Sequence, residues 1–389
     1  VKGDAVRFPA HSILALSFLT APLPAQTVYP TGTTIWDHAK TNDGYTIFLG
    51  ADGVGYMIDM DGTVVHTWTS PVAGQQLYIM EPLPKHGVVS YLKPNTGAEI
   101  SLTALELDYN GSVVWSFDMP PKAPVGSTFH HDSERLANGN TLLLARQPIF
   151  VPAISPIVLQ DDALLEVDPA GVVVWTWQAW QHAKELGFDD EAKGLIAKQG
   201  GDWLHCNSVT EIPPNNHTDP VFAPGNLIVS LRFSNTILIL EKATGNVAWR
   251  IGPDDHITFG QHNPHMIPLG LQGAGDLLVF DNGSGTGYPL KRRAPGYSQI
   301  QEIDPETRLP VWIYNSAKSG HNIRDFFSDI ISNAQRLPNG NTMICQGARG
   351  RFFEVDTTGA IVWEYMVPFS AGGSSSVYRA YRVDYTWNQ

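Results

Sequence analysis

Leu165-Glu166-Val167-Asp168-Pro169-Ala170-Gly171-Val172-Val173-Val174-Trp175 holds a strand, a tight turn and the start of a second strand. Leu165 and Val167 flank Glu166 with the two-residue period of a half-buried strand. Asp168 opens a turn with its short acceptor side chain, and Gly171 supplies the positive φ that closes it. The chain then returns as a β-branched run ending on an aromatic ring. The same phrase recurs at Tyr56–His66, Leu105–Trp115, Leu240–Trp249, Glu302–Trp312 and Phe353–Trp363. The copies follow one another at intervals of roughly 50–75 residues, a spacing that belongs to repeat architectures. Arg308 stands where the other copies carry glycine, so that turn must be built differently.

A second hairpin precedes each copy. Leu136-Ala137-Asn138-Gly139-Asn140-Thr141 and Leu337-Pro338-Asn339-Gly340-Asn341-Thr342 are nearly identical, and Gly225-Asn226 and Gly275-Asp276 are shorter versions. Asn-Gly between apolar runs is a strong hairpin signal. Two consecutive hairpins make a four-stranded antiparallel sheet, and six such sheets predict an all-β fold, a six-bladed β-propeller. Blade one lacks a strand before Asn42-Asp43-Gly44-Tyr45. The alternating carboxy-terminal run Val377–Val383 is expected to supply it as the innermost strand. Residues 178–203, with Ala183-Lys184-Glu185-Leu186 and Glu191-Ala192-Lys193, read as a short helical insertion before blade four.

Residues 27–389 are thus read as the propeller, and residues 1–26 stand apart. Lys2 and Arg7 precede the apolar run Ile13–Leu19, and Ala21–Gln26 is rich in small residues. That order suits a secretory signal peptide cut near Ala25, and it predicts a periplasmic or extracellular protein. The alternative is an amino-terminal arm packed on the domain. The formal net charge of −13 argues against nucleic acid or an anionic membrane as the main partner. Beyond residue 30 no apolar stretch reaches the about 18 residues of a membrane span. The two cysteines, Cys206 and Cys345, allow one disulfide at most and are expected to be free thiols.

In a propeller the innermost strands line a central channel. Six of the 13 histidines lie just before or inside four of these strands: His130, His131, His205, His262, His265 and His321. His130 and His131 are strand neighbours, so only one is expected to reach the channel. The favoured set is His131, His205 and His262. Gly283-Ser284-Gly285 followed by Lys291-Arg292-Arg293 could fold over the channel mouth, where an arginine fork suits sulfate, phosphate or carboxylate. Arg379 and Arg382 would add positive charge from the closing strand. Tyr78, Tyr378 and Tyr381 could stack on an aryl ring.

The chain resembles the arylsulfotransferase family of exported six-bladed propellers. The resemblance is carried by Gly32–Trp36 with Asp43–Phe48, the Leu-x-Asn-Gly-Asn hairpins, Trp203-Leu204-His205-Cys206-Asn207-Ser208, Gln261-His262, Phe280–Gly283 and Tyr378–Arg382. It implies transfer of a sulfuryl group from an aryl sulfate to a phenol, with no nucleotide donor and no cofactor. A histidine would carry the group, and further histidines and an arginine would hold its oxygens. By this resemblance His205 and His262 match the sulfate-binding histidines, with Arg292 as the arginine. The nucleophile would come from blade six, where Ser328-Asp329 occupies the inner strand and His321 lies in the preceding loop. The candidate catalytic set is therefore His131, His205, His262 and His321, with Asn207, Arg292, Tyr378, Arg379 and Arg382 binding substrate. Two other readings stay open. The four histidines could hold Zn or Cu in a hydrolase, lyase or oxidase, or the channel could bind a ligand without chemistry.

Overall fold

The computed structural model describes residues 30–84, 86–97, 100–285, 287–288 and 294–389. The amino-terminal segment 1–26 and Arg292 lie outside them.

Six sheets stand around one axis. Blade one pairs Tyr45–Leu49, Gly55–Ile58 and Val64–Trp68, and its innermost strand, Ala380–Val383, arrives from the far end of the chain. Tyr45 faces Val383 and Phe48 faces Ala380 across that seam. The inner strands of blades two to six are Gln75–Pro82, Thr128–Arg135, Cys206–Glu211, His262–Met266 and Asn333–Arg336. Blade six carries a fifth strand that the repeat did not announce. Gly32–Trp36 pairs antiparallel with the outer strand Ile361–Met366 and covers its edge. An edge strand so covered no longer offers free backbone groups to another chain.

The recurring turns work as their residues dictate. The side chains of Asp59, Asp108, Asp168 and Asp356 each accept the backbone N–H four residues on. The glycine before that position is left-handed in every case. In blade five the turn is one residue longer, and Arg308 itself takes the left-handed conformation at φ 61°.

The second strand of each blade is buried on both faces and reads as an apolar run, as in Leu227–Leu231 and Leu277–Asp281, whereas outer strands such as Val113–Asp118 alternate with one face exposed. Leu142 and Leu144 pack toward blade four, while Leu143 and Ala145 pack toward blade two. Six apolar cores result, one at each blade–blade interface. Tryptophans on outer strands latch neighbouring blades together. The indole N–H of Trp68, Trp177, Trp249 and Trp363 donates to a backbone carbonyl in the next blade, at Asp108, Gly245, Pro305 and Met60. Trp363 is fully buried and sits at the seam where the ring closes. Trp363→Ala is expected to lower the unfolding free energy by about 3–5 kcal/mol. A fall in the denaturation midpoint at unchanged slope would measure it.

The insertion before blade four contains a single α-helix, Asp190–Gln199, capped by the Asp189 carboxylate at the backbone N–H of Ala192. Leu186, Ala192 and Ile196 join the core between blades three and four. The chain leaves the helix through Gly200 and Gly201, both at positive φ, and Gly201–Asp202 pairs parallel with Leu159–Gln160. This short pairing delivers Asp202 to the start of the blade-four inner strand. No helix among the described residues is long and apolar enough to cross a membrane.

Candidate functional site

The inner strands share one irregularity, and it builds the site. Within or just before five of them stands a non-glycine residue with positive φ: Ile79, His131, His205, Asn263 and Ile331. Three of these strands also lose register there, and the blade-four strand does so just after His205. Such a residue costs of order 1–3 kcal/mol, and strain of this kind clusters at functional sites. The bulge in blade three defeats strand alternation. Instead of pointing apart, His130 and His131 bring Nδ1 to within 2.6 Å of Nδ1. Between two ring nitrogens at that distance one donates and the other accepts.

His131 and His205, from neighbouring blades, meet edge to face with ring centroids 4.7 Å apart. His205 Nδ1–H donates to Asp202 Oδ2 at 2.7 Å, and its backbone N–H donates to the other oxygen of the same carboxylate. Phe233 stacks on the ring's face at 4.7 Å. The carboxylate and the phenyl ring fix both tautomer and orientation. Nε2 of His131 and of His205 receives no hydrogen bond from the described residues, and each ring is partly exposed. Burial first, and then the neighbouring imidazoles, push the basicity of His131 well below the usual histidine range. His131 is therefore neutral at physiological pH.

Cations flank this pair. Arg146 Nη1 lies 3.3 Å from Asp202 Oδ2, and its charge also depresses His130 and His131. Arg232 extends over the face of Phe233 and donates to the Asp329 carbonyl. Tyr378 closes another side, its ring 5.8 Å from His131 and its hydroxyl donating to the Asn207 carbonyl. Among the described residues no three His, Cys, Asp or Glu side chains gather as a metal site.

The other predicted site residues divide clearly. His262 lies near the pair, with its ring 6.5 Å from Tyr378, but both of its nitrogens are engaged. Asn282 donates through its amide to the Ser328 and Ile331 carbonyls, so its oxygen must accept from His262 Nδ1–H. The Ile331 N–H then donates to His262 Nε2. Burial and nearby Arg232 keep the ring neutral, and it serves as a strut between blades five and six.

His321 is not brought to the channel. It is exposed on blade six, lining a cavity of about 690 Å³ with Asp325, Arg349 and Glu364 beside the extra strand. The loop before the inner strand is long enough to carry it outward. Arg379 is buried in a bidentate pair with Asp132, at 2.6 and 3.0 Å, and also donates to the Asn207 carbonyl. Burial opposes its charge, and Asp132 more than offsets that. Arg382 turns away from the channel to lie over Trp363, because strand alternation sends it into the interface between blades one and six. Asn207 is buried with its amide donating to the Gln261 carbonyl, and it contributes only its backbone oxygen near the site. Both cysteines are free and buried.

Sequence reasoning missed Asp202, Arg146 and Arg232. Asp202 stands three residues before His205, a spacing that suits a side chain capping its own turn. The arginines gave no comparable signal, since each lies on or just after a second strand of its blade.

Residues 101–367 match the family model described as arylsulfotransferase (ASST). No curated protein matches the chain. Among solved structures, a protein of unknown function from Bacteroides caccae aligns with a TM-score of 0.54 and 14% identity, covering 88% of this chain and 100% of its own. A functionally unknown protein from Desulfotomaculum acetoxidans aligns at a TM-score of 0.45 and 10% identity, over 88% and 99%. A catalytically inactive virginiamycin B lyase from Staphylococcus aureus aligns at 0.45 and 9%, over 88% and 89%. At 14% identity the likeness to the Bacteroides caccae protein is one of fold alone.

Proposed function

The chain belongs to the arylsulfotransferase family, and on that premise we propose that it moves a sulfuryl group from an aryl sulfate to a phenol with His205 as the transient carrier. Nε2 of His205 attacks sulfur, the bond from sulfur to the aryl oxygen breaks, and its electron pair leaves on the phenolate. The acceptor oxygen then attacks the same sulfur, and the nitrogen–sulfur bond breaks. Nε2 regains its lone pair, and the acceptor's proton passes to a base. A covalent carrier splits one difficult displacement into two easier ones.

The observation that carries this reading is the Asp202–His205 hydrogen bond. With Nδ1 protonated, Nε2 keeps its lone pair, and no described residue donates to it. As nitrogen becomes positive on sulfonation, the Asp202 carboxylate stabilises it. Asp202 can do so because it stays ionised. Burial raises its proton affinity, but the bond from His205 and the charge of Arg146 outweigh that and hold it below the usual range. Arg146 and Arg232 are placed to offset negative charge on the sulfuryl oxygens, where a partly dry site strengthens their effect. No step requires a metal.

Mixing the protein with nitrophenyl sulfate and a phenol tests this. A burst of nitrophenolate followed by acceptor-dependent turnover is expected, unaltered by prior dialysis against a chelator. Failure to release nitrophenolate would reject the sulfotransfer reading, and loss of turnover on chelation with recovery on adding Zn or Cu would replace it with the metal one.

A further inference from the structure

Behind His131 lies a buried line of groups that ends on a carboxyl. His130 Nδ1 meets His131 Nδ1 at 2.6 Å. On the far side of the same ring, His130 Nε2 lies 3.2 Å from Asp162 Oδ1. Both of those atoms are buried, and neither has an aligned hydrogen-bond partner among the described residues. At 3.2 Å the two atoms are close enough for a proton to pass between them. Burying them unpaired would cost about 1–3 kcal/mol each. The other oxygen of Asp162 accepts the Cys206 N–H at 2.9 Å, which holds the carboxyl in place. Asp162 and His130 are 1% and 4% exposed, so only the His131 end of the line opens to the channel.

We propose that Asp162, His130 and His131 form a proton relay that takes the acceptor's proton out of the channel and returns it to the departing phenolate. The proposal deepens the sulfotransfer reading and rests on it. As the acceptor oxygen attacks sulfur, its proton moves to His131 Nε2. The proton on His131 Nδ1 moves to His130 Nδ1, and the one on His130 Nε2 moves to Asp162 Oδ1. Each ring gains one proton and gives up one, and the carboxylate becomes a carboxylic acid. In the donor half-reaction the three transfers run backwards, and a leaving phenolate departs as the phenol. One proton is stored and returned per cycle, and no outside acid or base is consumed.

The environment supports both ends of this transfer. Burial, and then nearby Asp202, push the Asp162 carboxyl up to about 8, so it can hold or yield a proton near neutrality. Burial and then Arg146 push His130 down to about 3, which disfavours a trapped imidazolium midway. His131 alone would touch substrate. His130 and Asp162 act through it and are positioning residues.

Asp162→Asn keeps an oxygen for the Cys206 N–H but cannot take up the proton. It is expected to slow transfer to a phenol of tyrosine-like acidity, pKa about 10, by about 100- to 10,000-fold. An acidic nitrophenol acceptor, already ionised, should lose far less, as should the nitrophenolate burst from nitrophenyl sulfate. His130→Gln, which removes the middle of the line, should give the same acceptor-dependent pattern. Loss that is equal across acceptors in both variants would overturn the relay while leaving sulfotransfer intact. A wild-type protein with neither burst nor transfer would overturn both.

Discussion

His205→Asn is expected to lower sulfuryl transfer by about four to six orders of magnitude, the scale seen when a nucleophile is removed. The substitution is selective in a physical sense. The asparagine amide can still donate to Asp202, as His205 Nδ1 does at 2.7 Å. What disappears is Nε2, the only ring nitrogen of His205 not already held. Fold and carboxylate orientation should survive, so a normal denaturation profile with no nitrophenolate burst is the expected result. Acid-labile sulfur bound to histidine, trapped by quenching wild-type protein with donor alone, should be missing from the variant. A variant that keeps its burst would place the carrier elsewhere, with His131 next because its Nδ1 is engaged by His130 while no described residue donates to its Nε2.

Arg379→Met is expected to destabilise the protein by about 3–5 kcal/mol, because it strands a buried carboxylate. Arg379 and Asp132 are 3% and 1% exposed, and they join the closing strand of blade one to the inner strand of blade three. Asp132 also accepts the Val209 N–H from blade four. Removing the guanidinium therefore leaves a charge at the point where three inner strands meet. The double variant Asp132→Leu, Arg379→Met should recover much of the loss, since a buried ion pair replaced as a unit is often nearly neutral. Chemical denaturation of both variants checks this. If the single variant were as stable as wild type, the pair would not be what secures the ring.

Several features of the site were legible for local reasons. The hairpin turns depend on residues within a few positions of one another, so Asp168 and Gly171 announce their geometry directly. Six copies of one phrase then leave little choice of architecture. The prominence of His131 and His205 followed, because any polar side chain early in an inner strand must lie near the channel. Their partners were not legible. Arg146, Arg232 and Asp202 owe their roles to contacts between segments distant along the chain or to the insertion that redirects it. Arg379 and Arg382 looked alike in sequence, yet one closes the ring through Asp132 and the other lies over Trp363.

By itself the sequence determined the propeller and the number of blades, because apolar patterning and turn chemistry act locally. Only the tertiary structure decided which imidazoles meet. A left-handed backbone at His131 turns two histidines toward each other where a regular strand would separate them. A hydrogen bond from Ile331 occupies His262 while His205 stays open. Those outcomes depend on how neighbouring blades dock, and docking is set by packing across six interfaces rather than by any short stretch of residues.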